Sequence, residues 1–260
     1  MKLELARVLR HEQISSRYRV LGLLAPSIAQ EALPGQFVHV QVPGRDGPTL
    51  RRPFSIYKAE EGELSILYKL VGRGTEAISG LVPEDNISLM GPLGNSFPSC
   101  PPRRFPVLVA GGYGVAPLSF LAERLETKGI AFIGASTAAD ILCTEDFRRL
   151  GWPVRVATED GTLGLRGLVT AALGAWLSDR EQAARPELYA CGPDSMLEAV
   201  KELASAAGAK AWLSLDKHMG CGVGACLACV QRAVRPDGKT EWVRVCRDGP
   251  VFDSEKIVWK

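Results

Sequence analysis

The apolar patterning of this chain changes character once, at the proline-rich junction "SCPPRR" (residues 99–104), and no single fold class accommodates both sides of it. Up to about residue 98, apolar and polar residues alternate at period two. In "QFVHVQV", Val38, Val40 and Val42 face one way and Phe37, His39 and Gln41 the other, as in a strand. "FSIYKAEEGELSILYKLV" predicts a hairpin turning at Glu61-Gly62, and "DNISLMGPLGN" predicts a last strand closed by a Gly/Pro turn. About six short strands with few helices between them predict a six-stranded antiparallel β-barrel over residues 1–100.

Beyond the junction the period changes. "FPVLVA" is a continuous apolar run, as expected of a strand buried on both faces, and "PLSFLAERLETKG" sets Leu118, Leu121 and Leu125 on one helical face. The alternation then repeats: strand "IAFIGAS", a helix near 139–150, strand "PVRVAT", helix "GLVTAALGAWLSDREQ", strand "ELYACG", helix "DSMLEAVKELASAAG" and strand "KAWLSL". Such repetition predicts a parallel α/β domain over residues 101–213, with ligands beyond the carboxyl ends of its strands. Residues 214–260 form a third unit, too small to build much of a core alone, where a metal staple is physically reasonable.

Composition narrows the setting. Hydrophobic residues make up 46% of 260, enough for a substantial core, and 31 basic against 29 acidic residues leave a net charge of +2. No Lys/Arg run marks a nucleic-acid or membrane-surface patch. "MKLELARVLRHEQ" lacks the continuous apolar core of a signal peptide, and "VLVAGGYGVAPLSFLA" reads as strand, loop and helix start instead of a membrane span. A cytoplasmic location is expected. Disulfides rarely persist there, and seven cysteines cannot all pair within one chain.

Metal chemistry is therefore the first candidate for "HMGCGVGACLACVQR". Cys221, Cys226 and Cys229 are spaced C-x4-C-x2-C, and Cys246 follows a hairpin-like insertion; this is the plant-type 2Fe-2S pattern. Zinc sites more often use two short cysteine pairs, whereas here there is one C-x2-C pair and two outliers. Gly220, Gly222 and Gly224 let a short loop curl its amides toward an anionic cluster. With four thiolates present, His218 is expected to face solvent, and Cys100 and Cys143 to be small buried residues.

Three loops at strand ends suit a nucleotide. In "AGGYGVAP", Gly112 and Gly114 allow the backbone close to a pyrophosphate and Pro117 suits the first helical turn; "ATEDGTLGLRG" and "YACGPDSM" lie on the same rim. In the barrel half, "RRPFSIY" offers Ser55 and strand amides to a ring system or phosphate. In "LVGRGTEAIS", Gly72 and Gly74 open a loop and Thr75 is expected to cap a helix begun at Glu76. A nicotinamide delivers two electrons at once and a 2Fe-2S cluster takes one at a time, so a chain bearing both needs a converter such as a flavin.

"RPFS" and "GT" in a barrel, followed by "GGYGVAP" and "CGP", resemble the ferredoxin reductase superfamily, whose barrel binds FAD and whose second domain binds NAD(P). "SLDKHMGCGVGACLACV" and "VCRDGPVF" resemble more narrowly the electron-transfer subunits of the NAD-dependent, two-subunit (type 1B) dihydroorotate dehydrogenases. The resemblance implies that Arg52, Pro53, Phe54, Ser55, Leu67, Tyr68, Lys69, Gly74 and Thr75 hold FAD and that Cys221, Cys226, Cys229 and Cys246 ligate the cluster. Gly112, Gly114, Pro117, Cys191, Gly192 and Pro193 are the NAD candidates, with Cys191 beside the nicotinamide and no residue singled out as catalytic. "GASTAAD" has no acidic residue at its tip, which leaves Glu159 and Asp160 as candidates for the ribose, and the preference for NAD over NADP rests on the resemblance. It further implies an oxidoreductase subunit in de novo pyrimidine (UMP) biosynthesis. Its partner would be an FMN-containing catalytic subunit that oxidises dihydroorotate, in a heterotetramer of two copies of each. Two other functions fit the same residues. One is a diaphorase subunit of a hydrogenase or of an NADH-dependent ferredoxin:NADP oxidoreductase; the other is a zinc-stapled nucleotide-binding regulator.

Overall fold

The computed structural model of the chain describes residues 1–44, 49–179 and 185–259. Strands β1 (Lys2–Gln13), β2 (Tyr18–Leu24), β3 (Phe37–Val40), β4 (Arg52–Glu60), β5 (Glu63–Lys69) and β6 (Asn86–Leu93) close into a barrel in the order β1-β2-β5-β4-β3-β6, with short helices α1 (Pro26–Ala29) and α2 (Arg73–Ser79) in its connections. The β4–β5 hairpin turns where expected, with Glu61 and Gly62 both at positive φ (49° and 85°), the backbone a two-residue turn between twisted strands requires. Val38 and Val40 fill the barrel together with Ile56, Leu64 and Ile66. Phe37 and His39 face outward and are buried as well, so the two-sided alternation of β3 separates two cores instead of core and solvent.

The second unit is a seven-stranded sheet in the order β10-β9-β8-β7-β11-β12-β15. It comprises β7 (Arg104–Gly111), α3 (Val115–Arg124), β8 (Ile130–Ala135), α4 (Thr144–Arg149), β9 (Val154–Thr158), β10 (Leu165–Arg166), α5 (Val169–Leu177), β11 (Arg185–Cys191), α6 (Asp194–Ala206) and β12 (Lys210–Ser214). All these strands run parallel. Helix α3 differs from its expected one-sided pattern: every residue from Val115 to Ala122 is buried, because the helix is wedged between sheet and barrel and Phe120 reaches the barrel core. Each such fully buried Leu or Phe contributes about 1.5–3 kcal/mol. The helix expected near 139–150 is a short 3-10 turn at 138–140 followed by α4, interrupted by Cys143 at a left-handed φ of 59°. Residues 180–182 of the helix expected after Gly167 lie outside the described residues.

The last unit is built from the hairpin β13 (Val230–Val234) and β14 (Thr240–Arg244), the short helix α7 (Val245–Asp248), β15 (Val251–Asp253) and β16 (Ile257–Val258). Strand β16 joins the hairpin, whereas β15 pairs antiparallel with β12 and so extends the second sheet. Asn95, just past the barrel, donates to the Val251 carbonyl at 2.9 Å and accepts from its amide at 3.0 Å, tying all three units at one point. Among the described residues, no helix is long and apolar enough to cross a membrane.

Candidate functional site

Barrel and sheet enclose a cleft of about 800 Å³ at the carboxyl ends of the parallel strands. That volume suits a cofactor-sized ligand. One wall is made by Arg52, Pro53, Phe54 and Ser55 at the start of β4 and by Leu67, Tyr68 and Lys69 at the end of β5. Pairing of the two strands is what brings these separate sequence segments together. Tyr68 is held rigidly: its ring packs edge-on against Phe54 and its hydroxyl bonds His11 Nε2 at 2.9 Å. Gly74 stands behind the wall, where a Cβ would lie 3.0 Å from Arg52 Nε. Thr75 borders the cleft but caps differently from the expectation. Helix α2 begins at Arg73, and the Thr75 hydroxyl accepts from the Val71 and Gly72 amides (2.9 and 3.2 Å) while donating to the Gly72 carbonyl. Its side chain is thus committed to shaping the loop.

The facing wall comes from the second unit. Gly112, at φ +55°, opens onto the cleft, and Gly114 starts α3. The loop Cys191-Gly192-Pro193 packs against Gly111 and Gly114. Burial pushes the Cys191 thiol up to about 12, so a neutral thiol faces the cleft. Next to it Tyr113 donates to Asp216 at 3.1 Å. Glu159 borders the cleft and accepts from Ser136 at 3.0 Å, whereas Asp160 turns onto Thr162 and Pro117 is buried inside the first turn of α3.

Asp140, which "GASTAAD" did not single out, is the main charge in the cleft that sequence reasoning missed. It accepts from both Arg17 (2.7 and 2.8 Å) and Tyr18 (2.7 Å), with Lys69 at 3.9 Å, and so joins the second unit to β2 and β5 of the barrel. Burial pushes its carboxyl up, but the Tyr18 hydrogen bond and the charges of Arg17 and Lys69 together outweigh this and hold it below the usual carboxylate range. A second carboxylate, Asp146, accepts from Tyr57, Lys58 and Arg149 in the same interdomain seam. Cys100 and Cys143 are half-buried, not fully buried as expected, and His218 is exposed at the cleft edge.

From His218 and Met219 in the cleft wall the chain runs directly into the cysteine loop. There the amides of Val223, Ala225 and Cys226 point at Cys221 Sγ (3.4, 3.2 and 3.4 Å), and the Gly224 amide points at Cys246 Sγ (3.1 Å). The curl also relies on Leu227 at φ 58°, which no glycine signal announced. Burial opposes ionisation of Cys221, but those amides outweigh it and bring the thiol down to about 6. Burial and the neighbouring Cys229 push Cys246 up to about 12, so this thiol stays neutral at physiological pH unless a cation is beside it. Backbone contacts link the cysteines in two pairs: the Cys221 amide donates to Cys226 Sγ and the Cys246 amide to Cys229 Sγ, each at 3.4 Å. Among the described residues, no three His, Cys, Asp or Glu side chains converge on one ion. Two thiolate pairs lined with amide donors fit a two-iron cluster better than a tetrahedral zinc site.

A closed barrel, a nucleotide-type parallel sheet and a paired-thiol loop around one cleft define a flavin- and iron–sulfur-dependent oxidoreductase subunit. The model of the oxidoreductase FAD-binding domain matches residues 5–97, and that of the iron–sulfur cluster binding domain of dihydroorotate dehydrogenase B matches residues 216–258. The chain is 36% identical, over 98% of both chains, to the dihydroorotate dehydrogenase B (NAD(+)) electron transfer subunit of Desulforamulus reducens. It is 38% identical, over 94% of both, to that of Bacillus caldolyticus. Its fold superposes on an NADH-dependent reduced ferredoxin-NADP oxidoreductase structure with a TM-score of 0.84 at 27% identity, over 98% of this chain and 90% of that one. The chain belongs to the family of dihydroorotate dehydrogenase B (NAD(+)) electron transfer subunits.

Proposed function

We propose that this chain passes electrons from an FMN-bearing catalytic subunit, which oxidises dihydroorotate to orotate, to NAD+, within a cytoplasmic heterotetramer of two copies of each subunit serving pyrimidine synthesis. The observation that carries the proposal is the shared wall: His218 and Met219 border the cleft and lead within three residues to Cys221, so the cluster loop starts from the cleft wall. When bound, the iron–sulfur group handles electrons singly and the flavin pairs them, so that the nicotinamide leaves as a hydride carrier.

The division of labour follows residues 1–100, 101–213 and 214–260. In the first segment Arg52, Pro53, Phe54, Ser55, Leu67, Tyr68 and Lys69 hold FAD, with Gly74 and Thr75 fixing the loop behind them. In the second, Gly112, Gly114 and Cys191-Gly192-Pro193 receive NAD and Glu159 takes its ribose, while Pro117 and Asp160 support these loops from outside the cleft. The neutral Cys191 thiol offers the nicotinamide a compact, uncharged surface. In the third, Cys221, Cys226, Cys229 and Cys246 ligate the cluster, and their amide donors offset its negative charge. Val223, Leu227 and Trp242 are exposed on this unit and offer an apolar face to the catalytic subunit.

The test is coexpression with the cognate catalytic subunit, copurification, and an assay of NAD+-dependent orotate formation. Activity in the complex and in neither subunit alone supports the proposal. A chain purified without flavin and iron–sulfur absorption, or a complex whose orotate formation ignores NAD+, overturns it.

A further inference from the structure

His39 occupies a position that an apolar residue would fill at lower cost. It alternates with Val38 and Val40 on β3, so it points away from the barrel interior, toward the wall that the third unit covers. The residue is only 1% exposed, and among the described residues neither ring nitrogen has a hydrogen-bond partner. A buried polar group left unpaired is costly, and such groups in folded proteins call for an explanation.

What the ring touches supplies one. A Cβ on Gly222 would stand 2.8 Å from His39 Nδ1, 3.1 Å from Cε1 and 3.2 Å from Cγ, so the imidazole lies against the backbone of the residue that follows Cys221. Gly222 sits at φ +73°, inside the curl that aims amides at the sulfurs. On the other side, β3 pairs His39 with Pro53, in the segment that walls the cleft. His39 therefore bridges the strand pair of the FAD-binding barrel and the loop that carries the thiols. Burial, and then the charges of Arg51 and Arg52, keep the ring uncharged at neutral pH, with one N–H to give.

We infer that His39 donates its ring N–H to a sulfur of the iron–sulfur group held by Cys221, Cys226, Cys229 and Cys246, and so acts as a positioning residue supplied to the cluster by the flavin-binding barrel. The inference rests on the cluster assignment made above. Hydrogen bonds to cluster sulfurs stabilise the more negative, reduced state and raise the reduction potential. Because the donor is anchored on a barrel strand, the same contact fixes the cluster loop relative to the cleft.

The test uses the complete complex with its catalytic subunit. With ¹⁵N-histidine incorporated into this chain only, in a His218→Gln background, and assembled with unlabelled catalytic subunit, His11 and His39 are the labelled side chains. Pulsed EPR of the reduced cluster is expected to show ¹⁵N coupling that is lost in His39→Phe. His39→Phe, which keeps a ring of similar size without the donor, is expected to lower the cluster midpoint potential at unchanged iron and sulfide content. His39→Gln, which keeps an N–H, is expected to recover part of the shift. Absence of ¹⁵N coupling together with equal midpoint potentials in His39→Phe and the parent overturns the inference and leaves His39 as filler. Should His39→Phe fail to fold, the coupling measurement on the unsubstituted residue decides alone. A parent complex lacking 2Fe-2S iron and sulfide would instead sink the cluster assignment, a result distinguishable from the first.

Discussion

The carbonyl oxygen of Cys191 lies 2.4 Å from where a Cβ of residue 114 would be, so the two nucleotide loops meet backbone to backbone through Gly114. Gly114 has an ordinary helical φ of −61°, and the constraint is close approach alone. Gly114→Ala is therefore expected to push the Cys191 loop away from α3, costing about 1–3 kcal/mol of stability as overpacking does. Michaelis constants for NADH should rise in a dye-reduction assay while FAD content stays unchanged. An unaltered KM would show that the interlock does not shape the nucleotide site.

Arg52 lies against Gly74 at the edge of the barrel wall, and its Nη1 donates to the Leu50 and Arg51 carbonyls, at 2.9 and 3.4 Å. Its charge has no carboxylate partner among the described residues and remains available to an anionic ligand. Arg52→Ala should weaken FAD retention about 10- to 100-fold, the equivalent of losing one hydrogen bond to a charged group. The cluster sits on a different unit and should keep its full iron content. Equilibrium dialysis against FAD with parallel iron analysis checks both, and full flavin occupancy would count against the assignment.

Local chemistry was readable from the chain, and long-range charge placement was not. Period-two alternation, the Glu61-Gly62 turn and the C-x4-C-x2-C spacing all act within about ten residues, where sequence pattern and geometry coincide. Asp140 falls in the stretch expected to be helical, near 139–150, and nothing local marks it as charged-site material, because its partners, Arg17 and Tyr18, are 123 and 122 positions away. The same holds for His39, an ordinary outward-facing strand residue until the loop at Gly222 folds over it. The sequence predicts a one-sided α3 because it does not reveal that the barrel covers the helix's second face.

Asp140 also makes the seam between barrel and sheet sensitive to acid. Its folded pKa lies below the ordinary value, so the stability it contributes is fully present above the unfolded carboxylate range, near pH 4, and is lost as pH falls through the lower folded value. Arg17 is half exposed, which limits the gain. Asp140→Asn should cost about 1 kcal/mol at neutral pH. Thermal melts of the two proteins should then converge on acidification below about pH 4. A gap that stays constant down to pH 3 would assign the loss to packing instead of charge.

Cys226 offers the sharpest separation of the two halves of the electron path. Its sulfur is the exposed member of the outer thiol pair, whereas the surfaces assigned to NAD and FAD lie in the cleft between barrel and sheet. Serine replaces a soft thiolate with a poorer ligand for iron–sulfur chemistry. In Cys226→Ser, NAD+-dependent orotate formation by the complex should fall to background while NADH still reduces an artificial dye at close to the parent rate. Strand β15 belongs to the third unit yet pairs with β12 of the nucleotide sheet, so a collapsed cluster loop has a direct route to the rest of the fold. Loss of both activities together with loss of bound FAD would mean that this pairing makes the cluster unit part of the folding core, and the two halves would then not be separable by substitution at Cys226.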